Sequence, residues 1–146
     1  MTQNNLFKVD NEIKNLLTLD KPHSDNRGCI QSIVNENNSN VSIITSKKFS
    51  IRSNHYHLTD SHFMYTIKGS YYYLFKPANS NHILTRVKVN QGSLIFTPPM
   101  ESHVTIFLED TTLLVISKNP RDQETYEKDT VRVDLVKEDQ IEKYIV

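Results

Sequence analysis

The sequence predicts an all-β protein, an antiparallel sandwich or barrel formed as one domain. Three observations carry that expectation. Short runs rich in β-branched and aromatic residues recur at roughly ten-residue spacing. Turn residues separate them, and no long amphipathic helices intervene as they would in βαβ units. The length, 146 residues, fits a single core, and a chain of that size buries roughly two-thirds of the surface its unfolded form exposes.

Taken in order, residues 10–19 place Ile13, Leu16 and Leu17 at offsets that suit one face of a short helix, with a strand as the alternative. Asp25-Asn26-Arg27-Gly28 is a turn signal, followed by an alternation that sets Ile30 and Ile33 around Gln31 and Ser32. Strands are then expected over Val41–Thr45, Phe63–Ile67, Tyr71–Phe75, Ile83–Val89, Ser93–Thr97, Val104–Leu108 and Leu113–Ser117. Loops rich in Asn, residues 35–40 and 77–81, lie between them, because Asn bonds its own backbone and tolerates left-handed conformations. Glu124–Thr130 reads as a charged, loop-like lid or solvated connector, Thr130–Val136 as a last strand, and residues 137–146 as a tail with one or two helical turns. The boundaries expected are an N-terminal extension to about residue 24, a core over about 25–136, and the tail.

Composition excludes several classes of partner. The 17 basic and 17 acidic residues balance, whereas a phosphate-tracking surface shows as a basic patch or a domain pI above about 9; nucleic acid is not expected. The longest apolar runs, such as Leu113–Ile116, fall far short of the roughly 20 residues that span a bilayer. No basic start, apolar stretch and small-residue cleavage site opens the chain, and the one cysteine, Cys29, has no partner. A cytoplasmic location is the expectation. Glycine is scarce, three residues against the roughly 7 % of an average chain, so where those three fall is informative.

Four of the six histidines follow strand logic. His55 and His57, two apart, leave a strand from the same face. His62 follows across the link Leu58-Thr59-Asp60-Ser61, and His103 comes from a remote strand, after Pro98-Pro99-Met100-Glu101-Ser102. Ligands from one strand, its neighbour and a distant strand are how a β-barrel assembles a metal site in its mouth, and imidazole suits zinc, iron, nickel and copper. His23 and His82 read as ordinary hydrogen-bonded residues.

The run His55-Tyr56-His57, four residues, His62, six residues and Gly69 resembles the first motif of the cupin superfamily, with His62 where Glu is usual. Gly92, five residues, Pro98, then His103 resembles the second, although Pro98-Pro99-Met100 departs from the usual Pro-x-Gly and Phe107 replaces Asn. The resemblance implies a double-stranded β-helix, the jelly-roll cupin barrel, with short N- and C-terminal extensions. It also implies a divalent transition metal (Zn, Fe, Ni, Co or Mn) on His55, His57, His62 and His103. With His in place of Glu, such an ion stays closer to a full dication and polarises a bound oxygen more strongly. Four histidines would close a tetrahedral zinc shell, whereas a six-coordinate ion keeps two open positions. Gly69 closes the first motif and Gly92 opens the second, so a positive φ is expected at one or both.

Asp25-Asn26-Arg27-Gly28 and Arg52-Ser53-Asn54-His55 further resemble the Asp-x-Arg-Gly and Arg-Gly-x-His segments of cupins that act on nucleotide-linked sugars. Those relatives are the deoxysugar 3,5-epimerases, the 3,4-ketoisomerases and the cupin domain of capsule-assembly reductases. The resemblance implies an isomerase or epimerase working through an enolate, in which His55 is the general base. A metal-bound imidazole has no free lone pair for a proton, so metal on His55 would pass that task to Tyr65 or Glu101. Arg52 and Arg86 are the candidates for the diphosphate, since a guanidinium fork matches phosphate oxygens in pairs. The alternatives are a metal-dependent dioxygenase or lyase on a small carboxylate, and a small-molecule-binding cupin without turnover. Alternation sends Tyr71 and Tyr73 to one face and Tyr72 to the other, one of them core or interface. A homodimer is expected from the apolar strand face that a small barrel leaves over.

Overall fold

The structure, a computed structural model, describes residues 6–146; the first five residues of the expected N-terminal extension lie outside them. In chain order the elements are β1 (Phe7–Val9), β2 (Leu16–Leu17), β3 (His23–Asp25), β4 (Gly28–Ile30), β5 (Asn40–Ser46), β6 (Ile51–His57) and β7 (His62–Lys68). They continue with β8 (Ser70–Pro77), β9 (Leu84–Asn90), β10 (Leu94–Thr97), β11 (Glu101–Phe107), β12 (Thr111–Ser117), the helix α1 (Gln123–Asp129), β13 (Thr130–Arg132) and a 3-10 turn over Glu138–Lys143. A six-stranded sheet in the order β1-β9-β8-β11-β6-β13 faces a five-stranded sheet in the order β2-β10-β7-β12-β5, and β3 and β4 form a separate hairpin. The all-β expectation and the strands from 41 to 117 hold.

Four local expectations change. Residues 10–19 contribute only the two-residue strand β2, because their few apolar residues are held by pairing Leu16 and Leu17 with Ile95 and Leu94 rather than by a helical face. The segment after residue 122 is a helix rather than a loop. Its start is fixed by Asp122, whose carboxylate accepts from the Thr125 amide at 3.1 Å, and Lys128 reaches back to Glu124 at 2.8 Å. The strand expected over 130–136 stops at Arg132, since β13 pairs only with residues 55–57 of β6. The N-terminal extension is no appendage: β1 runs parallel to β9, an addition to an otherwise antiparallel arrangement, and β2 extends the second sheet.

Two cores follow from strand alternation. Between the sheets, Tyr71, Tyr73, Val87, Val89 and Phe107 meet Met64, Ile95, Leu113 and Val115. Outside the six-stranded sheet, Leu74, Val104 and Ile106 are covered by the tail through Val136 and Tyr144, with Tyr72 and Ile51 packed alongside. Both faces of the tyrosine run are thus packed.

Strand β6 departs from strict alternation. His103 pairs with His55, but Val104 pairs with Ser53 and Thr105 with Arg52, so Asn54 is one residue extra in the ladder. Ser53 and Asn54 sit at φ 74° and 56°, a β-bulge. Its effect is on parity. Arg52 and His55 are three apart and would point to opposite faces of a regular strand; the bulge turns both toward the space between the sheets. The Asn54 side chain then anchors the tail, accepting from the Leu135 and Val136 amides at 3.2 Å each and donating to the Val136 carbonyl at 2.9 Å.

Gly69 and Gly92 both have positive φ, 97° and 84°, as the motifs require. A Cβ on Gly69 would meet the Asp110 carbonyl oxygen at 2.7 Å and the Thr111 Cα at 2.8 Å, whereas one on Gly92 would meet nothing within 4 Å.

Candidate active site

Toward one end of the sandwich the apolar filling gives way to imidazoles. Strand β6 supplies His55 and His57, β7 supplies His62, and β11 supplies His103, all with under 9 % of their surface exposed. The four rings converge: centroids lie 4.6 Å apart for His55 and His57, 4.9 Å for His55 and His103, and 5.5 Å for both His57 with His62 and His62 with His103. His55, His57 and His62 border a cavity of about 120 Å³, whose wall also includes Arg52, Asp60, Thr105, Arg121 and Tyr126, and His103 packs against them from behind.

Hydrogen bonds set the ring orientations. His103 Nδ1 lies 2.9 Å from the Glu101 carbonyl oxygen, an arrangement that makes Nδ1 the protonated nitrogen and leaves Nε2, which is buried without a partner, carrying the lone pair. His57 Nδ1 lies 3.3 Å from the Thr130 hydroxyl and 3.8 Å from Asp129 Oδ2. Because the Thr130 hydroxyl donates to the Tyr126 carbonyl at 2.6 Å, its oxygen is left to accept from His57 Nδ1, and His57 Nε2 carries the lone pair. His55 Nδ1 is buried and unpartnered.

The surroundings keep these rings neutral. Burial, with His103, His57 and the guanidiniums of Arg132 and Arg121 adding to it, pushes His55 down to about 2. Burial pushes His103 down to about 4 against the opposing bond to the Glu101 carbonyl, and holds His62 well below its ordinary value. His57 is lowered by burial too, with the carboxylates of Asp60 and Asp129 working against it.

These residues fit a metal ion. The ligand atoms of His55, His57 and His103 all lie within 4.8 Å of one another, as do those of His57, Asp60 and His62. Two nitrogens bound at about 2.1 Å to one ion are at most about 4.2 Å apart, so each set closes on an ion with sub-ångström adjustments. Buried lone pairs with no protein partner are what such an ion would satisfy.

Three other expected site residues stand elsewhere. Tyr65, next to the inward-facing Met64 and Thr66, points to the outer face of its sheet and does not border the cavity. Glu101 sits behind His103, where its carboxylate accepts from the Tyr73 hydroxyl at 2.7 Å and from Asn15 Nδ2 at 3.0 Å; the Tyr73 ring stacks on His103 at 5.9 Å. Arg86 is buried on the outer side of the six-stranded sheet, between the rings of Phe7 and Tyr72, and donates to the Tyr144 and Val146 carbonyl oxygens at 2.7 and 2.8 Å. It clamps the tail and does not border the cavity. Arg52 does reach the cavity, and it bridges the sheets by donating to Ser46 Oγ at 2.7 Å and the Thr45 carbonyl at 2.9 Å.

The residues that sequence reasoning missed come from the link and from the helix. Asp60 lies in the short link after β6. Arg121 and Tyr126 arrive with α1: the Tyr126 ring lies 5.5 Å from that of His57 and 6.3 Å from that of His55, and the Arg121 guanidinium stacks 5.1 Å over it. Among the described residues, no helix is long and apolar enough to cross a membrane.

Comparison with known proteins places this geometry in context. A family model described as the polysaccharide biosynthesis C-terminal domain matches residues 23–131. No curated protein matches the chain in sequence. Among solved structures, the chain is similar to the 3,4-ketoisomerase QdtA from Thermoanaerobacterium thermosaccharolyticum in complex with TDP, with a TM-score of 0.64 and 19 % identity over 92 % of this chain and 100 % of that one. It is similar to the TDP-fucose-3,4-ketoisomerase WlaRA from Campylobacter jejuni, with a TM-score of 0.63 and 17 % identity over 76 % and 83 %. It also resembles the capsular polysaccharide assembling protein CapF from Staphylococcus aureus, with a TM-score of 0.60 and 19 % identity over 80 % of this chain, which spans 33 % of that protein. At such identities the likeness carries the fold, the jelly roll of the cupins whose motifs the histidines resemble.

Proposed function

The chain belongs to the polysaccharide biosynthesis C-terminal domain family, and from that premise we propose that it is an isomerase or epimerase acting on a nucleotide-linked sugar through an enolate-like intermediate. The observation that carries this reading is the convergence of four buried, neutral imidazoles, three of them lining one small cavity and His103 packed against them. His55, His57, His62 and His103 would hold a divalent transition metal, which when bound supplies a Lewis acid for negative charge on a sugar oxygen.

Cavity size supports a divided substrate. Pockets that enclose a whole drug-sized ligand run to about 300–1,000 Å³, so about 120 Å³ admits the sugar and leaves the nucleotide at the mouth. Arg121 and Arg52 line that space and present guanidinium donors suited to a diphosphate. His55 is a poor base in this setting, because a group held at about 2 is too weak to take a proton from carbon near neutral pH, where the best catalytic base titrates. Its buried lone pair suits a metal better. With Tyr65 and Glu101 outside the cavity, Tyr126 is the proton carrier on the wall nearest His55 and His57. The C–H bond beside the keto group breaks, its electron pair forming the enolate double bond while the carbonyl pair moves to oxygen. Tyr126, acting as the phenolate, would take that proton and return it to the neighbouring carbon as the hydroxyl proton there passes to the enolate oxygen.

The QdtA structures include one in complex with TDP-4-keto-6-deoxyglucose, which makes that compound a suitable probe. In D2O, the metal-loaded protein should exchange deuterium into the carbon beside the keto group, as read by mass spectrometry and NMR. Absence of exchange with it and with the corresponding UDP-keto-sugar, together with oxygen uptake on a small carboxylate, would replace the isomerase reading by the dioxygenase one.

A further inference from the structure

We propose that Asp60 supplies the anionic ligand of this metal site, replacing from the β6–β7 link the charge that the cupin motif loses where His62 stands in place of Glu. The inference rests on the metal reading above and extends its donor set. Asp60 is buried, borders the cavity, and offers a carboxylate oxygen within 4.8 Å of the ligand nitrogens of both His57 and His62. Two imidazoles and one carboxylate form a donor set that transition metals use widely.

The link is built to hold this carboxylate in place. Asp60 Oδ1 accepts from the Asn119 amide at 2.9 Å, and the Asp60 amide donates to Asp129 Oδ2 at 2.9 Å. Asp129 Oδ1 takes both the amide and the hydroxyl of Thr59, at 2.8 and 2.7 Å, while the Leu58 amide donates to the Asp129 carbonyl and the Lys118 amide to that of Ser61, each at 2.9 Å. Each residue of a four-residue connection is therefore pinned, and Asp60 Oδ2 is the oxygen left over. The charge argument points the same way. A dication among neutral imidazoles, with Arg121 on the same wall, sits in a cationic and poorly solvated space, where one carboxylate offsets a unit of charge. The two sets share His57, and a shell that drew on both would exceed the four ligands of a structural zinc and suit ions that take six.

The test is the affinity of the full, metal-free chain for Co2+ and for Zn2+, measured by competition with a chromophoric chelator, with thermal unfolding of the metal-free forms alongside. D60N keeps an oxygen that accepts from Asn119, so its melting should be little changed while both ions bind more weakly, by roughly ten- to a hundredfold or more. Affinity within about threefold of the parent overturns the Asp60 assignment and leaves the metal reading intact. Failure of the parent chain to bind either ion overturns both. If D60N loses its unfolding transition, the pair D60E and D60Q decides: D60E must bind at least about tenfold more tightly than D60Q.

Discussion

Lowering the pH from 7 to 5 should destabilise the metal-free protein steeply, and the buried histidines set the size of the effect. Above pH 6.5 an imidazole is neutral in both the folded and the unfolded chain and costs nothing. Below it the unfolded chain takes up a proton that the native site refuses, until the pH falls to the folded value. For His55, held at about 2, and His103, held at about 4, almost the whole interval from 6.5 to 5 lies inside that window. Each contributes a loss of about 2 kcal/mol, together about 4 kcal/mol, and His62 and His57 act in the same direction. Glu101 and Asp60, whose carboxyls burial pushes up, act oppositely, but carboxyls ordinarily titrate near 4, mostly below the window. Urea unfolding with a chelator present is the assay. With a slope of about 2 kcal/mol per molar urea, the midpoint should fall by about 2 M between pH 7 and pH 5. In H103Q the same pH change should cost about 2 kcal/mol less, since one refused proton has gone. A midpoint that moves by less than about 0.5 M, or an equal loss in H103Q, would refute the claim that the native site excludes those protons.

Three further outcomes are expected. G69A should lose about 2–5 kcal/mol, because its Cβ strikes the Asp110–Thr111 backbone in addition to the left-handed strain, whereas G92A should lose only about 1–2 kcal/mol; chemical denaturation that finds the two equal sinks the packing part of the argument. S53G should gain about 0.5–1 kcal/mol, since φ 74° strains serine and not glycine, and a lower melting temperature would count against strain at the bulge. Y126F should slow deuterium exchange by about 10²–10⁴-fold while leaving TDP affinity nearly unchanged; an unaltered rate would assign the proton to another group.

Much of this was legible in the sequence for physical reasons. Period-two alternation and turn residues fix strands regardless of their partners, so β7 to β12 and the inward set of His62 and His103 follow from local pattern. The scarce glycines were legible too, because Gly69 and Gly92 occupy conformations that other residues resist. What escaped depends on contacts between distant segments. Glu124–Thr130 has little apolar content, and its helix is set by the Asp122 cap and by its seat beside β13, neither visible as periodicity. Tyr126 escapes with it, while Tyr65, a candidate proton carrier, is turned outward by the alternation of β7 itself. Arg86 shows the same limit. Its alternation is right for a buried strand residue, but the ring of Tyr72 and the tail that bury it come from elsewhere in the chain. Asp60 was visible only as part of a link, because nothing in a four-residue connection announces that six backbone and side-chain bonds will hold it still.

The bulge at Ser53 and Asn54 makes the pairing of β6 a functional quantity. Most surface strands absorb a substitution or a one-residue change at their ends, and their chemistry depends on which residues they carry. Here it depends also on where the ladder takes up its extra residue. Removing one residue between Arg52 and His55 would set the two positions two apart, on one face of a regular strand, at the loss of the Asn54 anchor to the tail. Ironing the bulge out at constant length would instead turn either Arg52 or the histidine pair to the outer face, where Val104 and Ile106 meet the tail. Over evolutionary drift, then, a relative one residue shorter between these two positions keeps the facing of the site and gives up the anchor of the tail, whereas one that takes up the extra residue elsewhere in the strand exchanges the site for a different surface.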